Sequence, residues 1–251
     1  MILASITSSA RRLATLGVVA LLLAGCAVPT VTPTTPPSPL PTIPPTTPPY
    51  TLGPTVSASP FGCPTSAPAA LSGTATVKMT TNFGDIVIKV DSTLGANAAG
   101  AFVALSRCGY YNNVIFHRVV PKFVIQAGDG VYARLPNATL DSKMGTGGPG
   151  WTVPDDKVTT TYKRGTVALA RTSSANSGNS QFFIVLDDSA ASTLGASTAN
   201  NYAIFGNVTA GLDVVDRIAA VPLGGEPDGS GGAPAMPLEP VVITSTIVTT
   251  P

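Results

Sequence analysis

The chain has 251 residues, 44% of them hydrophobic and 11% charged, with a formal net charge of +1. So small and scattered a charge excludes a nucleic-acid footprint, which needs clustered Lys and Arg. A single histidine excludes a histidine-built metal cage and any triad that needs a second imidazole.

The 24 prolines are unevenly placed and divide the chain into three parts. Residues 1–25 read as a secretory signal peptide, with Arg11 and Arg12 ahead of a short apolar run from Leu13 to Leu23. That run falls short of the roughly 20 apolar residues that span a bilayer. It ends in Leu23-Ala24-Gly25-Cys26, which resembles the bacterial lipobox. The resemblance implies cleavage before Cys26, a lipid on its sulfur, and anchoring to the cell membrane on the extracytoplasmic face. Each buried CH₂ of such a lipid contributes about 0.8 kcal/mol.

Residues 26–72 carry that cysteine and a Pro- and Thr-rich segment without apolar periodicity. Nothing in it can build a core, so it is expected to be a disordered linker. Extended chain of this kind reaches roughly 100 Å. A spacer and a ligand for a proline-recognition module are both open to it. Cys63 and Cys108 are the remaining cysteines. Beyond a membrane they either pair in a disulfide or stay as two thiols, because sequence does not fix their separation.

Residues 73–251 are enough for one core. Thr74 to Thr80 alternates, Asn82 to Asp85 turns, and Ile86 to Val90 is apolar again, which predicts a β-hairpin. Asn97 is placed to cap a helix with Ala98, Phe102 and Leu105 on one face and Gly109 as its stop. Two strands follow, bent at Pro121, and further strands are expected over 165–170, 181–186, 202–208 and 241–248. A second helix fits Gly211 to Ala220, with Leu212, Val215 and Ile218 inward and Thr209 as a cap. Many short strands with two helices predict a mainly β domain, an antiparallel barrel with helical lids.

Val114 to Asp129 (VIFHRVVPKFVIQAGD) departs from this pattern. It is apolar and β-branched, as a buried strand should be, yet it contains Arg118 and Gln126. A half-buried guanidinium is costly unless it has a purpose. His117 reads as a satisfied structural histidine, and Gly145 to Gly150 as a shaped surface loop, since no Lys-Ser/Thr follows it. An arginine, amides and an apolar patch without a nucleophile or acid–base pair suit a reaction with no covalent step. Rotation about a prolyl peptide bond is such a reaction, with a barrier of about 18–20 kcal/mol.

The motif Phe116 to Asp129 resembles the cyclophilin signature FHRxxPxFxxQxGD. The likeness continues through Gly145 to Pro154, Gly165 to Leu186 and Tyr202 to Val208, in order. Resemblance to cyclophilins implies a closed eight-stranded antiparallel barrel capped by two α-helices over residues 73–251. It implies peptidyl-prolyl cis-trans isomerase activity on proline-containing polypeptides, by a monomer that needs no metal or cofactor. By position, Arg118 matches the catalytic arginine, Gln126 the glutamine that orients it, and Phe123, Val124 and Phe183 the proline pocket. Ala170, Arg171 and Gln181 match positions touching the residues before proline, and Leu194 and Tyr202 match the pocket wall. Lys122 stands where glycine is usual, and residues 130–144 and 224–235 are insertions. The rival reading is a cyclophilin-like binding module that engages proline segments at the envelope without turnover.

Overall fold

The computed structural model describes residues 62–138, 143–195, 202–227 and 234–250. The expected signal peptide, the lipidated Cys26 and the linker up to Phe61 lie outside the described residues, as do residues 139–142 and 228–233 of the two insertions.

The alternating segment forms hairpin strands β1 (Thr74–Thr81) and β2 (Gly84–Asp91), paired in full register. Thr81 fixes their turn: its Oγ1 accepts from Phe83 N at 3.0 Å and donates to Gly84 O at 2.8 Å. Helix α1 (Ala96–Arg107) follows, and Gly109, with φ +76°, stops it as Tyr110 N donates back to Leu105 O at 2.9 Å. Asn97 is not its cap. The Asp156 carboxylate reaches across from another loop and accepts from Asn97 N, Asn97 Nδ2 and Ala98 N at 3.2, 2.9 and 2.8 Å. An anion at a helix N-terminus satisfies orphan N–H groups and complements the dipole.

The short strands β3 (Val114–Ile115), β4 (Arg118–Val120) and β5 (Val124–Ala127) come next. Strands β6 (Thr166–Leu169) and β7 (Phe182–Val185) precede a 3₁₀ turn and the four-residue helix α2 (Ala191–Leu194). Strand β8 (Ile204–Ala210) leads into helix α3 (Leu212–Ala219), then a β9 (Leu223–Pro227) and β10 (Pro234–Pro237) pair, and finally β11 (Val242–Thr249). Thr209 does not cap α3; its hydroxyl donates to Val87 O at 3.3 Å, and the helix starts from Gly211 at φ +88°. A Cβ at Gly211 would lie 2.2 Å from Asp85 O, so only glycine lets the chain turn that close to β2.

Among the described residues the sheet is antiparallel and holds nine strands in the order β3-β11-β1-β2-β8-β6-β7-β5-β4, beside the separate β9–β10 pair. This is a mainly β, curled open sheet with three α-helices, and it differs from the expected closed barrel of eight strands and two helices. Its two edges, β3 and β4, are consecutive in the chain, separated by Phe116 and His117. Phe116 N donates to Val241 O at 2.8 Å and His117 N to Gln126 O at 3.1 Å. The chain thus changes partner from β11 to β5 over two residues, because successive N–H groups of extended backbone point to opposite sides.

Phe102 of α1 anchors the core, with its ring 5.4 Å from Tyr111, 5.2 Å from Phe182 and 4.8 Å from Phe205. Cys63 and Cys108 form a disulfide, with Cα atoms 5.1 Å apart. It ties down a strap that crosses α1: Leu71 N donates to Ala96 O, and Trp151 Nε1 to Pro64 O, both at 2.9 Å.

Candidate active site

Cross-strand register assembles the site. Arg118 on β4 faces Gln126 on β5, Gln126 faces Phe183 on β7, and Phe183 faces Ala168 on β6. Directly paired residues project from the same face, so a cation, an amide, a ring and a small residue stand in one row. Two positions along, Val120, Val124 and Val185 form a second, apolar row.

From these rows Arg118, Gln126, Phe183, Val120 and Val124 line one side of a cleft of about 600 Å³. Phe123 enters it from the turn after β4, Ala170 and Arg171 from the end of β6, Thr193 and Leu194 from α2, and Tyr202 from just before β8. Of the residues expected at the site, all but Gln181 line the cleft.

The turn that delivers Phe123 runs through Pro121 and Lys122 and is closed by Phe123 N donating to Val120 O at 3.0 Å. Lys122 keeps the left-handed backbone that glycine usually supplies, with φ +62°. Tyr202 meets the Phe183 ring edge-on, centroids 5.3 Å apart and planes at 87°. Its backbone is clamped by one buried hydroxyl: Tyr162 OH donates to Tyr202 O at 2.7 Å and accepts from Tyr202 N at 2.9 Å. Burial pushes that hydroxyl up to about 12, so it stays protonated. Arg171 donates from Nη1 to Ser174 O at 2.9 Å and lies 3.6 Å from the Asp155 carboxylate.

Gln181 sits behind the wall, buried, with its amide engaged by protein groups. It donates from Nε2 to Gly145 O at 2.8 Å and Gly147 O at 3.0 Å, and its Oε1 accepts from Gln126 Nε2 at 3.1 Å. The glycine loop expected at the surface is therefore partly internal, with Gly147 buried. His117 is buried too, and among the described residues neither ring nitrogen has a hydrogen-bond partner. Burial pushes its imidazole down to about 4, against the pull of the Asp129 carboxylate.

Val120 and Thr193 line the cleft without having been anticipated. Val120 was findable, since it lies two residues from Arg118 on one strand and so shares its face. Thr193 carried no signal beyond its place beside Leu194. Tyr162 lies behind the wall, joined to Tyr202 by hydrogen bonds that sequence spacing does not reveal.

Among the described residues, the charged groups lining the cleft are Arg118 and Arg171, and no carboxylate, thiol or imidazole lines it. Such a site can hold an apolar ring and direct hydrogen-bond donors at it, and it has no nucleophile–base pair with which to start covalent chemistry.

Residues 76–248 match the family described as cyclophilin type peptidyl-prolyl cis-trans isomerase/CLD. A peptidyl-prolyl cis-trans isomerase of Streptomyces antibioticus is 36% identical over 68% of this chain and 96% of its own length. A Brucella abortus relative, 35% identical, is matched over 54% of this chain and 66% of its own length. Among solved structures, a cyclophilin type peptidyl-prolyl cis-trans isomerase of Cryptosporidium parvum, crystallised in the presence of the dipeptide Ala-Pro, superposes with a TM-score of 0.55. It is 25% identical and covers 70% of this chain and 99% of its own. With the match spanning the whole strand framework from β1 to β11, the chain belongs to the cyclophilin-type peptidyl-prolyl cis-trans isomerases.

Proposed function

We propose that this chain accelerates rotation about X–Pro bonds in exported polypeptides, with Arg118 as the group that stabilises the twisted state. The observation that carries this reading is the row across β4, β5 and β7: a guanidinium and an amide stand beside an aromatic-floored cleft. As the bond twists, the prolyl nitrogen loses amide resonance and regains a lone pair. A guanidinium donates to that lone pair far better than to the planar ground state, which is the differential binding that lowers a barrier. Phe123, Val124 and Phe183 hold the pyrrolidine ring, and Ala170 and Arg171 meet the residues before it. An acceleration of about 10⁵ needs roughly 7 kcal/mol of such preference.

The setting proposed is the outer face of the cell membrane, with a lipid on Cys26. The Cys63–Cys108 disulfide supports an oxidising compartment. Incorporation of labelled palmitate that disappears in Cys26→Ser tests the anchor; equal labelling of both sinks it.

The activity is tested by NMR exchange on an Ala-Pro peptide, comparing wild type with Arg118→Ala. We expect kcat/KM to fall about 10²-fold or more with the fold retained. A wild type that binds the peptide without accelerating exchange would leave a proline-segment binding module in place of the enzyme.

A further inference from the structure

Asp129 lies two residues past the end of β5, the strand that carries Gln126, and it is fully buried. Its Oδ1 accepts from Val131 N at 2.9 Å and Tyr132 N at 2.8 Å, and its Oδ2 from Gly145 N at 2.8 Å and Gly147 N at 3.0 Å. Four charge-assisted bonds to one carboxylate offset the cost of burying it and tie the turn after β5 to the glycine loop. A Cβ at Gly147 would lie 2.1 Å from Asp129 Oδ1, so the loop reaches the carboxylate only because that residue is glycine. Held this way, the loop turns two carbonyls, those of Gly145 and Gly147, toward Gln181.

The consequence is a matter of hydrogen-bond polarity. Carbonyls only accept, so they take both amide hydrogens of Gln181. Its Oε1 then remains, and it too can only accept. Gln126 must therefore turn its NH₂ toward Gln181, as it does at 3.1 Å. That leaves the Gln126 carbonyl oxygen as the amide atom offered to other donors. Arg118, the cross-strand partner of Gln126, has a guanidinium with five donors and no acceptor. A flipped Gln126 amide would set donors against donors.

We propose that Asp129 and Gln181 are positioning residues for the isomerase reaction: through the Gly145–Gly147 loop they fix the amide polarity of Gln126, and with it the seat of the Arg118 guanidinium. The proposal rests on the isomerase reading and revises the expected part of Gln181, which acts through Gln126 and not through substrate.

The test is a double-mutant cycle between Gln181→Leu and Gln126→Leu, read by NMR exchange on an Ala-Pro peptide with kcat and KM separated. Gln181→Leu should lower kcat about tenfold and change KM less than about twofold. In the Gln126→Leu background it should have no further effect on kcat. Equal losses in both backgrounds, or a raised KM at unchanged kcat, would overturn the proposal. A second measurement uses the wild type alone, should Gln181→Leu not fold. The side-chain NH₂ of Gln181 should exchange with solvent far more slowly than an exposed glutamine amide, and free exchange would refute the arrangement. A wild type without isomerase activity would remove the underlying reading and the proposal with it, an outcome distinct from an active enzyme whose Gln181 and Gln126 act independently.

Discussion

The two faces of the β6-β7-β5-β4 patch are built from interleaved residues of the same strands, yet they have opposite fates. On the inner face Val119, Ile125, Phe182, Ile184 and Val167 join the core that Phe102 of α1 closes. On the outer face Val124, Phe183, Ala168 and Val185 form a second cluster with Tyr162, Leu194 and Ile204. Val124, Phe183 and Leu194 of that cluster line the cleft, with Arg118 and Gln126 beside them. Strand β7 is apolar throughout, FFIV, because both of its faces are buried. The lesson is that an apolar strand does not announce which of its faces is core and which is site. The polar interruptions on its neighbours do.

Four substitutions put that contrast to the test. Phe182→Ala empties the centre of an aromatic cluster and should cost about 4 kcal/mol in chemical denaturation, with KM of the surviving folded enzyme little changed.

His117 comes next. Its folded pKa of about 4 lies below the ordinary 6.5, so the fold favours the neutral ring and the unfolded chain takes up the proton first. The stability tied to this group is fully present above about pH 6.5 and is lost as pH falls toward 4. Summed over that window it amounts to about 3 kcal/mol. Denaturation midpoints of wild type and His117→Asn should converge as pH is lowered through this range. Parallel curves would show that the ring does not titrate with folding.

Phe183→Ala removes a ring of the same size from the other face, where the Phe183 ring is buried but lines the cleft. It should cost about 3 kcal/mol and raise KM for a prolyl peptide about tenfold. If Phe182→Ala and Phe183→Ala had equal effects on both stability and KM, the distinction between the faces would fail. Lys122→Gly is the mildest. It relieves a left-handed lysine and should leave stability within about 1 kcal/mol of wild type, on the stabilising side, by thermal melting.

The hairpin, α1 with its Gly109 stop, and α3 were legible because period, turn residues and breakers lie next to one another in sequence. The cleft row was legible for a different reason, the match of Arg118, Phe123, Gln126 and Phe183 to an ordered motif. What escaped depends on partners far apart in the chain. Asp156 caps a helix 58 residues before it, and Tyr162 clamps Tyr202 across 40 residues. The expected caps, Asn97 and Thr209, were sound by local propensity, and tertiary approach overrode both. Gln181 was placed at the substrate because its motif lies there; only the orientation of its amide shows that it faces the glycine loop. His117 was expected to be satisfied, and a buried ring with no hydrogen-bond partner among the described residues cannot be read from residue types.

The disulfide gives the chain an unusual mechanical layout. Cys63 and Cys108 are 45 residues apart, and the segment between them holds β1, β2 and all of α1. Tension arriving from the N-terminal side of Cys63 meets the covalent bridge before it meets the strap or β1. It is passed directly to the C-terminal end of α1, beside the aromatic cluster. Any pull from that side thus reaches the domain at the end of α1, while β1 stays out of the line of force and need not unzip from its neighbours.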